Sequence, residues 1–194
     1  CLLSRGLGDV YKRQLIGEAL ENNVSLNQSA TDILYKLTGL ENIYLKQLKA
    51  YGDLNRDPQE RVISIVYFSL IRVDKLSLKI VENYDAKWFA FNELPELIID
   101  HSQMVKDSIS ELRNIAKDQP LGYELLPKLF TLPQLQTLYE CIYNTKFDSR
   151  NFRKKILSLK VLEKTNLKDK SSSRKAAYLY GFKENNREKK RTNS

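Results

Sequence analysis

Thr131-Leu132-Pro133-Gln134-Leu135-Gln136-Thr137-Leu138-Tyr139-Glu140-Cys141-Ile142-Tyr143, a short break, then Asp148-Ser149-Arg150-Asn151-Phe152-Arg153-Lys154-Lys155-Ile156-Leu157: this stretch decides how the chain folds. Thr131 offers a hydroxyl that caps a first helix. Pro133 is tolerated in the first turn, where its missing N–H has no intrahelical partner. Leu135, Leu138 and Ile142 recur at helical spacing and give that helix one buried stripe. Asp148 caps a second helix, its carboxylate facing amides that lack carbonyl partners and the positive end of the dipole. On a helical wheel Phe152, Ile156 and Leu159 share a narrow arc, and Arg150, Asn151, Lys154, Lys155 and Ser158 fall roughly opposite. Leu157 breaks the pattern: it either packs under a neighbouring element or marks a fraying end.

Downstream, Val161–Thr165 and Ala177–Phe182 read as strands, separated by Asn166–Lys175, a loop too polar to bury. Helix, tight turn, basic helix and a hairpin with a basic tip make a winged helix-turn-helix. Its second helix enters a major groove, and its wing touches backbone or minor groove. Arg150 and Asn151, near the helix N-terminus, suit base edges, Arg for guanine and Asn for adenine. Arg153, Lys154, Lys155, Arg174 and Lys175 suit phosphates. The plainer alternative is a solvated, lysine-rich helix in an ordinary helical domain, and charge partition weighs against it. Residues 148–194 hold 15 Lys+Arg against 5 Asp+Glu, whereas the preceding 147 residues hold 17 against 19, within a total of +8. The whole positive excess sits in the last quarter, the footprint of a phosphate-binding module.

Upstream of this module, Leu121–Phe130 reads as its first helix, and Asp118-Gln119-Pro120 as a domain boundary punctuated by proline. A helix of about Asp100–Ala116 carries Ile109, Leu112 and Ile115 in its stripe. Ser25 caps another helix whose Leu26, Ala30, Ile33, Leu34 and Leu37 form one face, with Gly39 as its stop. Tyr44–Tyr51 and Val62–Val73 are strand-like, the second a nearly continuous apolar run suited to a central strand. A further strand is expected near Lys87–Phe91. Between the first two lies a polar, turn-rich segment, Gly52–Arg61.

At 194 residues and 42% hydrophobic, the chain can hold one or two small domains with real cores. No apolar run approaches the roughly 20 residues that span a bilayer, so no membrane partner is expected. Two cysteines, Cys1 and Cys141, suggest no disulfide framework and a reducing cytoplasm. A single His excludes a zinc finger, and no cofactor is called for. Residues 1–14 read as a cloning or sequencing scar, because Asp9–Gln14 resembles a translated transposase-adapter end; a native chain would then begin upstream. Glu184–Ser194 is a basic tail with nothing to bury, hence disordered.

A family resemblance follows from several of these residues. Gly17–Leu40, ending Leu37-Thr38-Gly39-Leu40, resembles the Nudix box G-x5-E-x7-R-E-U-x-E-E-x-G-U, where U is aliphatic. Tyr51-Gly52-Asp53, Arg56-Asp57-Pro58, Arg61-Val62-Ile63-Ser64, Tyr67-Phe68, Trp88, Glu93-Leu94-Pro95 and Asp100-His101 resemble the ADP-ribose pyrophosphatase branch. With the winged helix, the chain resembles the Nudix-related transcriptional regulators over roughly residues 15–183. The resemblance implies an α+β chain: residues 15–118 as an N-terminally truncated Nudix-like α/β/α sandwich, residues 119–183 as the winged helix.

The match departs from the family where the chemistry lies. Anchored on Gly39 and Leu40, the first Gly of the box falls at Glu18 and its first Glu at Val24. The Arg-Glu pair falls at Asp32-Ile33, and the metal-binding Glu-Glu pair at Lys36-Leu37. Nudix hydrolysis needs carboxylates clustered on one helix to hold divalent cations, and Lys36 and Leu37 cannot ligate magnesium. The expectation is therefore a sensor rather than an enzyme, with no metal site. Its effector would be a small molecule, ADP-ribose or a pentose; the missing carboxylates and scarce glycine lean toward the sugar. Arg56, Asp57, Arg61, Tyr67 and His101 are the candidate ligand contacts. For each there is a plain structural alternative: Arg56 and Asp57 pinning a turn, Tyr67 in a core, His101 capping a helix. The implied function is a homodimeric repressor binding a double-stranded DNA operator, presenting its basic helices to half-sites about one turn apart. The alternative is a Nudix hydrolase of ADP-ribose-like nucleoside diphosphates.

Overall fold

In the computed structural model of the chain, residues 2–5, 14–71, 84, 86–90, 93–118, 125–169 and 176–183 are described. They form two compact units, Cys1–Ile109 and Ser110–Ser194, and mix helix with strand throughout. The class is α+β.

In the first unit, β1 (Leu2–Arg5) pairs antiparallel with both β2 (Gln14–Leu15) and β5 (Ala86–Phe89). A second sheet joins β3 (Lys46–Tyr51) to β4 (Ser64–Phe68), with a register shift between Gln47 and Ala50. The strand expected over Val62–Val73 is thus shorter, and its last residues lie outside those described. Helix α1 (Leu26–Thr38) begins where the Ser25 hydroxyl accepts from Gln28 N and ends at Gly39, whose φ of 69° is the left-handed cap expected of glycine. Thr38 is fully buried because its hydroxyl donates to Leu34 O at 2.6 Å while accepting from Leu40 N.

Helix α2 (His101–Asp118) contains the boundary between the units. Its buried stripe starts earlier than Ile109, at Met104 and Val105, and closes at Ala116. In the second unit, Arg113 Nε donates to Ile142 O at 3.1 Å and Tyr143 Oη donates to Arg113 O at 2.9 Å. The first of these bonds satisfies a carbonyl at the end of α3 (Leu132–Tyr143) that has no intrahelical donor, and the second ties the Tyr143 side chain to the backbone of α2.

The residues 125–130 are not the helix the sequence suggests. Pro127 removes an amide, and Phe130–Thr131 instead form β6, paired with Tyr180 and Leu179 of β8 (Ala177–Phe182). Thr131 must then be extended (φ −90°, ψ 154°), which is the geometry of a helix cap; it and Gln134 close a capping box at the start of α3. Leu132, Leu135, Tyr139 and Ile142 line the buried side of α3. Phe152 and Ile156 of α4 (Ser149–Ser158) meet them, with Tyr139 edge-on to Phe152 at 5.6 Å and Phe147 stacked on it at 5.9 Å. Leu159, expected on the buried arc, is 39% exposed because the helix ends one residue before it; Leu157, within the last turn, is 38% exposed. The sheet β6-β8-β7, with β7 at Leu162–Asp169, closes the core through Phe130, Leu162, Tyr180 and Phe182. Strand β7 runs four residues past the expected strand end, because Thr165 bonds across a bulge to Leu179 O and keeps the pair together.

Candidate functional site

Two places carry the chemistry. The first is the α3–turn–α4 segment. Asn144 leaves α3 in the left-handed conformation at φ 50°, which Asn tolerates better than most side chains. Glu140 then fixes the turn. Its carboxylate accepts from Gln136 Nε2 at 2.9 Å, from Phe147 N at 3.0 Å and from Lys146 Nζ at 2.7 Å. Lys146 first, then Gln136 and the Phe147 amide, hold the Glu140 carboxyl down at about 2. One residue past Phe147, Asp148 accepts from Asn151 N at 2.8 Å and starts α4.

The result is a basic helix set at a defined angle to its neighbour, with Arg150, Asn151, Arg153, Lys154 and Lys155 all exposed. None of these four cations is ion-paired among the described residues. Arg150 and Arg153 border a groove of about 510 Å³ between α3 and α4, shared with Leu132, Pro133, Gln136, Thr137, Glu140, Ser149 and Phe152. Arg174 and Lys175, expected at the wing tip, lie outside the described residues. On the β7–β8 hairpin the fold shows a group that the sequence did not reveal: Lys164 and Lys168 of β7 both approach the Tyr178 ring, at 3.6 and 4.8 Å from its centroid.

The second place is the start of α2 in the first unit. Arg56 forks onto Asp100, Nε to Oδ2 and Nη2 to Oδ1, both at 2.8 Å, and its side chain is only 4% exposed. The hydrogen bond to Arg56 is the largest influence holding Asp100 below the usual carboxylate range. His101 Nδ1 accepts from Leu15 N at 3.1 Å, and burial pushes its imidazole below the usual value. Ile99, just before them, has φ 53°, a left-handed conformation unfavourable for a β-branched residue. Sequence reading gave no sign of that strain. The other candidates are also engaged: Asp57 accepts from Gln59 N, and Arg61 Nη1 donates to Gly52 O and Asp53 O. Tyr67 Oη lies 2.7 Å from Asn27 Oδ1 and 3.1 Å from Gln47 Oε1. Arg56 and His101 therefore gather at Asp100, while Asp57 and Arg61 close turns of their own loop and Tyr67 faces α1. On α1, Lys36 donates to Glu18 Oε2 at 2.7 Å. Trp88 Nε1, on β5, is buried with no hydrogen-bond partner among the described residues.

Residues 122–182, which hold β6, α3, α4, β7 and β8, match the family model of the NrtR DNA-binding winged helix domain. The chain is built like a Nudix-related transcriptional regulator. It is similar to the ADPR-responsive transcriptional repressor of Acinetobacter baylyi, 28% identical over 165 residues, 84% of this chain and 66% of that protein. It thus spans just under two thirds of that relative. It also resembles the Shewanella oneidensis NrtR crystallised with a 27mer DNA (TM-score 0.67, 25% identity, 88% of this chain and 79% of that one). In fold alone, it resembles a MutT/nudix family protein from Enterococcus faecalis (TM-score 0.65, 17% identity, 93% and 80% of the two chains). Every candidate duplex contact falls inside the winged helix match, and every candidate effector contact falls outside it.

Proposed function

We propose that this chain is a DNA-binding transcriptional regulator, acting as a repressor, whose first unit senses an effector of the ADP-ribose class. The observation that carries the reading is the exposed, carboxylate-free cationic face of α4, held at a fixed angle by Glu140 and the caps at Thr131 and Asp148. Arg150 and Asn151 read base edges; Arg153, Lys154 and Lys155 hold phosphates. The similarity to a repressor named for its response to ADPR, and to an NrtR crystallised with DNA, supports the same assignment. It shifts the effector from the pentose that composition favoured toward ADP-ribose.

Two copies present their α4 helices to half-sites, and effector binding lowers duplex affinity by the coupling free energy. The chain works in the cytoplasm; among the described residues no helix is long and apolar enough to cross a membrane. It senses without cutting, because Lys36 and Leu37 stand where the resemblance puts the metal-binding carboxylates. The experiment is duplex binding with and without ADP-ribose, together with a magnesium-dependent turnover assay on it. Loss of affinity of about 5- to 150-fold without turnover is the expected result. Turnover at enzymic speed would refute the sensor reading.

A further inference from the structure

We propose that Lys164, Lys168 and Tyr178 form a phosphate clamp on the wing, in which the Tyr178 ring positions two ammonium groups for the DNA backbone. This rests on the duplex-binding reading above and adds residues to it. In the β7–β8 register Lys164 lies opposite Tyr180 and Lys168 opposite Tyr178, and directly opposed residues share one face of a sheet. On that face Tyr180 and Phe182 are buried, whereas Tyr178 is 38% exposed, so the hairpin leaves the core at this ring. The bulge between Lys164 and Lys168 is closed by Thr165, whose hydroxyl donates to Leu179 O and accepts from Leu167 N. It brings both lysines to the same aromatic.

Charge sorts cleanly across this hairpin. The two acids of β7, Glu163 and Asp169, are opposite Gly181 and Ala177, on the other face by strand alternation. Neither lysine is ion-paired among the described residues. Two like charges on one exposed ring each gain from the ring and lose part of that gain to mutual repulsion. An anion seated between them removes the repulsion. A phosphodiester, with one charge shared by two free oxygens, has the right valence for two donors. Tyr178 is thus a positioning residue: it touches the cations, and the cations touch the backbone.

The test is fluorescence anisotropy of the full chain with a labelled random-sequence duplex, titrated over a range of salt concentrations. Lys164→Gln/Lys168→Gln should flatten the log–log salt slope by roughly one to two units. Tyr178→Leu should move toward that double variant, and Tyr178→Phe, which keeps the ring, should match the wild type. A wild-type slope in the double lysine variant overturns the clamp; a wild-type slope in Tyr178→Leu overturns the positioning role. The lysines are exposed, so their variants decide the matter even where Tyr178→Leu fails to fold. A wild-type chain that binds no duplex, or prefers single-stranded RNA, sinks the parent reading instead.

Discussion

In the unit Ser110–Ser194 the cations of α4 stand exposed with no carboxylate partner among the described residues, whereas in Cys1–Ile109 the most conspicuous cation, Arg56, is buried against Asp100. The same contrast runs through the neutral candidates. Asn151 presents its side chain to solvent, while Tyr67 and His101 are already engaged within their unit. Exposed, unpaired charge contributes little to folding and is free to meet a partner. Buried, bidentate charge holds a fold together and is expensive to disturb. The cationic face of the winged unit is therefore free to meet an anion, while the residues proposed as effector contacts in the first unit already serve as supports of its fold.

Substitutions should have opposite signatures in the two units. The largest effect is expected at Arg56→Ala, which leaves Asp100 partly buried without its partner. It should lower stability by about 3 kcal/mol in chemical denaturation. A change under about 0.5 kcal/mol would show that the pair is ornamental.

On the exposed face of α4 stability should scarcely move and binding should. Arg150→Ala should cost about 1–3 kcal/mol of discrimination at one base pair. Lys155→Ala should weaken all duplexes alike and flatten the salt slope by about one unit. Identical behaviour of the two variants across operator sequences would refute the division between base reading and phosphate holding.

The smallest effect concerns acid. Glu140 titrates at about 2 when folded against an ordinary 4.5, so its carboxylate stabilises fully above the ordinary value. That contribution fades as pH falls toward about 2, where the folded group protonates. Glu140→Gln should lower stability at neutral pH and leave a weaker acid dependence between those limits. An unchanged acid profile would mean the turn holds without the carboxylate.

What was legible in the sequence is what local chemistry writes. Ser25, Thr131 and Asp148 announced their helices because a capping side chain acts within three residues, and Gly39 announced a stop because the left-handed cap suits glycine. The basic face of α4 showed for the same reason: one helix, one wheel. What stayed hidden depends on register and on distant pairs. The apolar residues near Leu125 and Leu129 have helical spacing, yet Phe130–Thr131 is taken by β8, some 50 residues later. Lys164 and Lys168 looked like a strand end and a loop until the bulge placed them on Tyr178. Arg56 and Asp100 are separated by 44 residues, and no periodicity links them. Glu140 is the near miss: Gln136 and Glu140 lie four apart on one helix and face a lysine-bearing turn, a pattern open to inspection.

The most direct test of the whole account is the salt dependence of duplex binding by the intact chain, read by anisotropy from low ionic strength upward. Double-stranded DNA should be bound with an affinity that falls log-linearly with salt, and the slope should flatten by roughly two units in Lys154→Ala/Lys155→Ala. Absence of binding at low salt, or a slope indifferent to those two lysines, would contradict it.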